Sequence, residues 1–208
     1  VQQEVALYLS GQEELLTKPS LYRNFIGDTL NKEKLKESQK YFSALYQDVE
    51  TPTYPYNLSD IDVDGTTRIV KSREMLSPEL RDRVRKLSGD LQMSPAVFFY
   101  AAFGLVIGRC SSTEHALFGT VLLGRLQGSE GSESSLGLFM NTLPVLLNLK
   151  GNVADYISQT NEHLQNLMAY EQTPSADIHD WSGISNDMPL FSALLNYRHS
   201  NQDIPVET

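Results

Sequence analysis

A layered α/β sandwich, with helices packed on one side of a sheet, is the fold class the sequence predicts, and three observations predict it. Amphipathic segments with helical spacing alternate along the chain with short apolar runs rich in β-formers. Two Ser-Pro pairs, Ser77-Pro78 and Ser94-Pro95, stand where helices open. Residues 116–123 are apolar almost without interruption, which fits a strand covered on both faces.

Taken in order, Val1, Val5, Tyr8 and Leu9 fall on one helical face, and the run stops at Gly11. Over residues 31–47, Leu35, Phe42, Leu45 and Tyr46 line one side while Lys32, Glu33, Lys36, Glu37 and Lys40 fill the other, the pattern of a surface helix. Thr51-Pro52-Thr53-Tyr54-Pro55 breaks it, because each proline removes a backbone donor and pushes its predecessor toward extended geometry. Residues 54–65 read as a connection between two lobes, and residues 67–74 as a short strand. Ser77-Pro78-Glu79 then reads as an N-cap and first turn, with Leu80, Val84 and Leu87 on one face of the helix it opens.

Ser94-Pro95 repeats the device. The helix after it is apolar nearly all round, through Val97, Phe98, Phe99, Ala101, Phe103, Val106 and Ile107, which predicts burial on most sides. After the strand at 116–123, the Gly- and Ser-rich residues 124–135 form a loop. Residues 136–149 return as a second strand, in which Pro144 marks a bulge or an edge position. Val153, Ile157, Thr160, Leu164, Leu167 and Met168 make another amphipathic helix, and residues 190–197 a third strand. No internal repeat is visible.

Composition narrows the function. With 208 residues, 40% hydrophobic and 21% charged, the chain is long enough for a substantial core and has the make-up of an ordinary globular protein. A net charge of −9 argues against nucleic acid as a partner, since phosphate binding draws on a surplus of Lys and Arg. The longest apolar run, residues 96–107, is too short to cross a bilayer and is interrupted by Gly104, so no membrane is expected. The single Cys110 excludes an intrachain disulfide and fits a reducing compartment, here the cytoplasm. It reads as a small hydrophobe, because no motif surrounds it. His115, His163 and His179 have no metal-ligand spacing with one another or with Cys110. Residues 124–137 lack the Gly-Lys-(Ser/Thr) of a phosphate-binding loop. The start, Val1-Gln2-Gln3-Glu4, has no Met and no signal-peptide pattern, and reads as the middle of a gene product.

The segments that carry most information are Leu136-Gly137-Leu138-Phe139-Met140-Asn141-Thr142-Leu143-Pro144 and Phe191-Ser192-Ala193-Leu194-Leu195-Asn196-Tyr197-Arg198-His199-Ser200. The first resembles the Gly-x-Phe-(Val/Ile)-Asn-Thr motif of nonribosomal peptide synthetase condensation domains, and the second a strand-ending Asn-Tyr-Arg-His-Ser found in many of them. Four weaker likenesses fall in the family's order. Tyr22-Arg23-Asn24-Phe25-Ile26 resembles Tyr-x-Asp-(Phe/Tyr)-x-x-Trp, with Asn24 in place of the acid and no Trp. Phe118-Gly119-Thr120 with Gly124-Arg125 resembles the strand and loop ahead of the main motif. Tyr170-Glu171-Gln172-Thr173-Pro174 is a degraded (His/Asn)-Gln-Asp-(Tyr/Val)-Pro. Ser185 to Phe191 is similar to Arg-x-x-Ser-x-x-Pro-Leu-Phe, with Pro189-Leu190-Phe191 intact. Leu146 stands where many members carry Arg. The family's His-His-x-x-x-Asp-Gly signature occurs nowhere, so the chain looks like the second half of such a domain.

The resemblance implies a chloramphenicol acetyltransferase-like (CoA-dependent acyltransferase) fold with a mixed sheet, arranged as two lobes around a tunnel. Residues 1–75 become the tail of the first lobe with the interlobe connection, and residues 76–208 an incomplete second lobe. The implied activity is amide-bond formation between carrier-protein-bound aminoacyl or peptidyl thioesters. No cofactor binds directly; the phosphopantetheine arm of the carrier proteins enters the tunnel. Implied partners are these carrier domains, an adjacent adenylation domain and the remainder of the first lobe. A docking-only module and an epimerisation domain or other acyltransferase of the same fold stay open. No catalytic residue is expected in this chain, which alone is expected to be inactive.

Tyr22, Arg23, Gly119, Thr120, Arg125, Gly137, Met140, Asn141, Thr142, Asn196, Arg198 and His199 become candidates for tunnel wall or lobe interface. Asn141 and Thr142 either hydrogen-bond a pantetheine amide or satisfy backbone groups at a strand kink. Arg125 either forms an interlobe ion pair or meets a carrier phosphate. Arg198 braces the interface, and His199 reads as structural because no nucleophile or second His accompanies it. Arg81, Arg83, Arg85 and Lys86 offer a carrier-docking patch, or simply a solvated helix face.

Overall fold

A computed structural model describes residues 2–16, 21–58, 70–125 and 135–198. Seven α-helices and three strands are described, with two single-turn 3-10 helices at Glu13–Leu15 and Pro55–Asn57: α1 Gln2–Leu9, α2 Tyr22–Thr29, α3 Lys32–Tyr46, α4 Pro78–Asp90, α5 Pro95–Ser111, β1 His115–Leu122, β2 Asn141–Asn148, α6 Val153–Ala169, α7 Ser175–Ser182 and β3 Leu194–Leu195. The helix starts are set locally. Asn31, Ser77, Ser94 and Asn152 each accept a first-turn amide through a side-chain oxygen. At the far end of α5, Ser112 adopts the left-handed conformation that ends a helix, with φ 55°.

The sheet is mixed, as expected, with order β2-β1-β3. β1 runs antiparallel to β2, from His115 opposite Asn148 to Leu122 opposite Asn141, and parallel to β3 at Gly119 and Thr120. β1 is therefore the central strand, and Ala116 through Thr120 are buried without a break. Core residues from α3 (Phe42, Tyr46), α5 (Tyr100, Ile107), α6 (Tyr156, Leu167) and α7 (Ile178) join those of β1 and β2 in one cluster. The Tyr156 hydroxyl donates to the Ala101 carbonyl and ties α6 to α5 at 2.9 Å. The buried Thr53 hydroxyl accepts the Leu117 amide at 3.0 Å, so the segment after α3 is pinned to the sheet before the connection leaves it.

The outer edge of β2 offers no free amide between Thr142 and Leu146. Gly119 donates its amide to Ala193 and Leu117 donates to Thr53, both away from β2. Their partners Pro144 and Leu146 consequently direct their backbone nitrogens outward, in the alternation of an antiparallel ladder. Pro144 has no proton to offer there, and Leu146 donates to His163 Nε2 at 3.4 Å. One step further along the same edge, the Thr142 amide donates to Asn141 Oδ1 at 2.9 Å. Of the two roles left open for Pro144, it fills the edge position. Burial pulls the pKa of His163 down to about 4, which keeps its ring neutral and able to accept.

Several expectations are corrected. Residues 70–74 form no strand, and 67–69 lie outside the described residues. The second strand begins at Asn141 and not at 136, because Gly124, with φ +67°, turns the chain out of the ladder just beyond Leu122 and leaves 136–140 unpaired. The third strand shrinks to two residues. Helix α5 is less enclosed than its composition implied: Leu105 and Val106 are 40% and 57% exposed. Leu80 and Leu87 of α4 also remain exposed, and Ser88 alone is buried on that helix. Helices α2 and α7 are additional to the predicted elements; both are short, and α2 places Tyr22, Phe25 and Ile26 at helical spacing within a single eight-residue run.

Candidate functional site

The segment 135–142, leading into β2, is held by side chains from three directions. Helix α2 places Tyr22 and Phe25 against Phe139, with ring centroids 5.2 and 4.5 Å apart, and Tyr22 stacks on Phe25 at 5.4 Å. The Tyr22 hydroxyl donates to the Leu138 carbonyl at 2.6 Å. Gly137 is required at this point, since a Cβ there would lie 2.1 Å from the Tyr22 ring. On the remaining side Arg125 lies 4.1 Å over the Phe139 ring and donates to the Ser135 carbonyl at 3.1 Å.

The C-terminal end of the segment is fixed by Asn141. Its Nδ2 donates to the carbonyls of Glu171 (3.0 Å) and Thr173 (2.7 Å), while Oδ1 accepts the Thr142 amide. Thr173 in turn donates through its hydroxyl to Ser38 on α3 at 2.9 Å, and Ser38 donates to the Lys34 carbonyl. Beside this chain of bonds, Tyr41 of α3 stacks on Tyr170 at 4.4 Å, and burial, then the Tyr170 phenol, pushes the Tyr41 pKa up to about 12. Held in this way, the segment buries Phe139 (3% exposed) and turns Leu138 (71%) and Met140 (59%) outward.

The candidates therefore separate into three groups. Tyr22, Arg125, Gly137, Met140, Asn141 and Thr142 come together at the held segment, with Arg23 exposed on α2 beside it. Gly119 and Thr120 lie in the core: the Phe191 ring covers Gly119, and Thr120 shares a short hydrogen bond with the Tyr100 hydroxyl. Asn196 and Arg198 are exposed past β3, where Tyr197 packs on Phe99 at 5.4 Å. His199 lies outside the described residues. Arg83 and Arg85 are exposed on α4, while Arg81 and Lys86 pair with Asp82 and Asp90 of their own helix.

Sequence reasoning passed over Phe25, Ser38, Phe139 and Thr173 as site residues. Ser38 had a usable signal, because a small polar residue falls on the Leu35-to-Phe42 stripe. Thr173 sits inside the degraded 170–174 motif. Among the described residues no three His, Cys, Asp or Glu converge as a metal site. No single described helix is long and apolar enough to cross a membrane, although the bent pair α4–α5 passes on length and composition. The arrangement offers apolar surface and rigid support, without a nucleophile beside a base.

This mixed sheet with its helices forms an α/β domain whose fold is similar to that of solved condensation domains, the CoA-dependent acyltransferase-like fold. VibH, described as an NRPS condensation enzyme, matches 90% of this chain and 44% of its own with a TM-score of 0.67 at 15% identity. The starter condensation domain of rhizomide synthetase, solved with C8-CoA, matches 79% of this chain and 36% of its own with a TM-score of 0.58 at 18% identity. The family described as Condensation domain matches residues 2–207, and the chain belongs to it. Malpibaldin synthetase of Mortierella alpina is 36% identical over 199 residues, which cover 95% of this chain and 4% of the synthetase. The chain thus spans a small fraction of the relatives it matches.

Proposed function

We propose that this chain is the second half of a nonribosomal peptide synthetase condensation domain that joins carrier-bound aminoacyl or peptidyl thioesters through amide bonds. It supplies channel wall and lobe interface, and the reacting imidazole belongs to polypeptide outside this sequence, so residues 1–208 alone are inactive. The observation that carries the reading is the held segment 135–142. It is the family's Gly-x-Phe-x-Asn-Thr motif, and its apolar Leu138 and Met140 face outward.

The physical task suits such a wall. A thioester is already activated, so much of the rate comes from aligning amine and carbonyl and excluding water. Carrier domains bring both substrates on phosphopantetheine arms, a group that is also part of the C8-CoA bound to the rhizomide domain. An adenylation domain and the rest of the first lobe complete the partner set, and the assembly works in the cytoplasm.

In this reading residues 1–75 are the tail of the first lobe with its connection, and residues 76–208 the second lobe. Helix α3 reaches across this division, because Phe42 and Tyr46 pack in the same cluster as β1. The test is a coupling assay on the domain with its upstream residues, given loaded donor and acceptor carriers. Dipeptide formation that disappears when the upstream His-His pair is replaced supports the proposal. Binding of carriers without coupling would make the domain a docking module, and Cα proton exchange without coupling an epimerase.

A further inference from the structure

Asn141 has no donor left for a ligand. An Asn side chain owns two N–H bonds, and both are spent on the carbonyls of Glu171 and Thr173; Oδ1 already accepts the Thr142 amide. Glu171 and Thr173 are buried, and this amide donates to both of their carbonyls.

The second observation is where the anchors lead. Thr173 is bonded to Ser38 of α3, and the Leu138 carbonyl is bonded to Tyr22 of α2. Helices α2 and α3 are consecutive, separated by Leu30 and Asn31. One helical pair therefore grips the segment at two points three residues apart, directly at Leu138 and through the 171–173 turn at Asn141. Between the grips Phe139 points inward and Met140 outward. Two fixed points define the rotation of a short segment. Release of either lets the side chains at 138 and 140 turn away.

We propose that Asn141, together with Tyr22, is a positioning residue: it sets the orientation in which Leu138 and Met140 face the substrate channel and touches no substrate itself. This rests on the condensation reading above.

The test measures single-turnover peptide-bond formation in the full synthetase for Asn141→Ala, Tyr22→Phe and the double variant, together with hydrogen exchange of the amides at 138–142. Asn141→Ala is expected to lower the rate constant roughly ten- to hundredfold, in the range that misplacement of a reacting group produces, with carrier KM unchanged. The double variant is expected to lose far less than the product of the singles, because both free one segment. The loss is expected to be equal for acceptors on pantetheine and on a simple alkyl thioester without amides. Faster exchange at 138–142 accompanies it. A defect confined to pantetheine acceptors would overturn the proposal, as would an unchanged rate or a higher KM alone. Should Asn141→Ala not fold, Thr173→Val removes the Ser38 anchor while keeping Asn141, and the same outcomes decide. If the wild-type synthetase joins no thioesters, the condensation reading fails. The exchange rates then still decide whether the two grips act as one unit.

Discussion

The two ends of β2 solve the same problem by different means. At both, a backbone group outside the ladder is satisfied by a side chain. At the Asn141 end, bonds run to two other parts of the chain, the 171–173 turn and, through it, α3. At the Leu146 end a single imidazole caps a single amide, and the small cavity beside it is lined by Asn148, Gln159, Thr160 and Tyr156. The first end is cross-linked, and its loss spreads. The second is a local cap whose state depends on one proton.

The largest effect is expected from Asn141→Ala. It removes both hydrogen bonds to the 171–173 turn and the one to the Thr142 amide, each worth about 1 kcal/mol, so urea unfolding of the domain should reveal a loss of roughly 2–4 kcal/mol. A loss below about 1 kcal/mol would show that this end is no more cross-linked than the other.

The opposite end responds to pH. His163 titrates at about 4 in the fold against the ordinary value of 6.5, so the unfolded chain takes up the proton first. Its contribution is complete above about pH 6.5 and is lost as pH falls from there toward about 4, to a total of at most ~3 kcal/mol. No charged residue lines the adjoining cavity to offset this. Stability measured across that window should lose the slope of about one proton in His163→Gln, and an unchanged slope would assign the effect elsewhere.

Smaller effects sharpen the contrast. Gly137→Ala drives a methyl into the Tyr22 ring, and thermal unfolding should report about 1–3 kcal/mol lost. Tyr22→Phe removes one hydrogen bond while keeping the ring stack, for about 1 kcal/mol. A combination of Tyr22→Phe with His163→Gln should be additive to within about 0.5 kcal/mol, since the two share no partner.

Legibility in the sequence divides along the same line. Ser77, Ser94 and β1 were readable because capping and continuous apolar runs are local properties. Pro144 was readable as an edge or bulge because the missing proton is intrinsic to the residue. Leu136, Leu138 and Met140 do alternate as a strand would, yet Gly124 takes away their pairing partner and Tyr22, 116 residues distant, supplies a different one. Helix α2, with Gly27 and Asn24, has weak propensity and is held by Phe139, which sequence alone does not bring near it. At the site, Tyr22, Gly137, Arg125 and Asn141 followed from the motif resemblance. Their mutual contacts did not, because they depend on long-range packing.

The outer margin of the sheet has a consequence for what can lie beside it. From Thr142 to Leu146 every outward nitrogen is already engaged or is proline, so over this stretch a neighbouring extended chain would find carbonyls to donate to but no amide to accept from. Pairing on acceptors alone is weaker than a full ladder, and Pro144 withholds its share of donors whatever the pH.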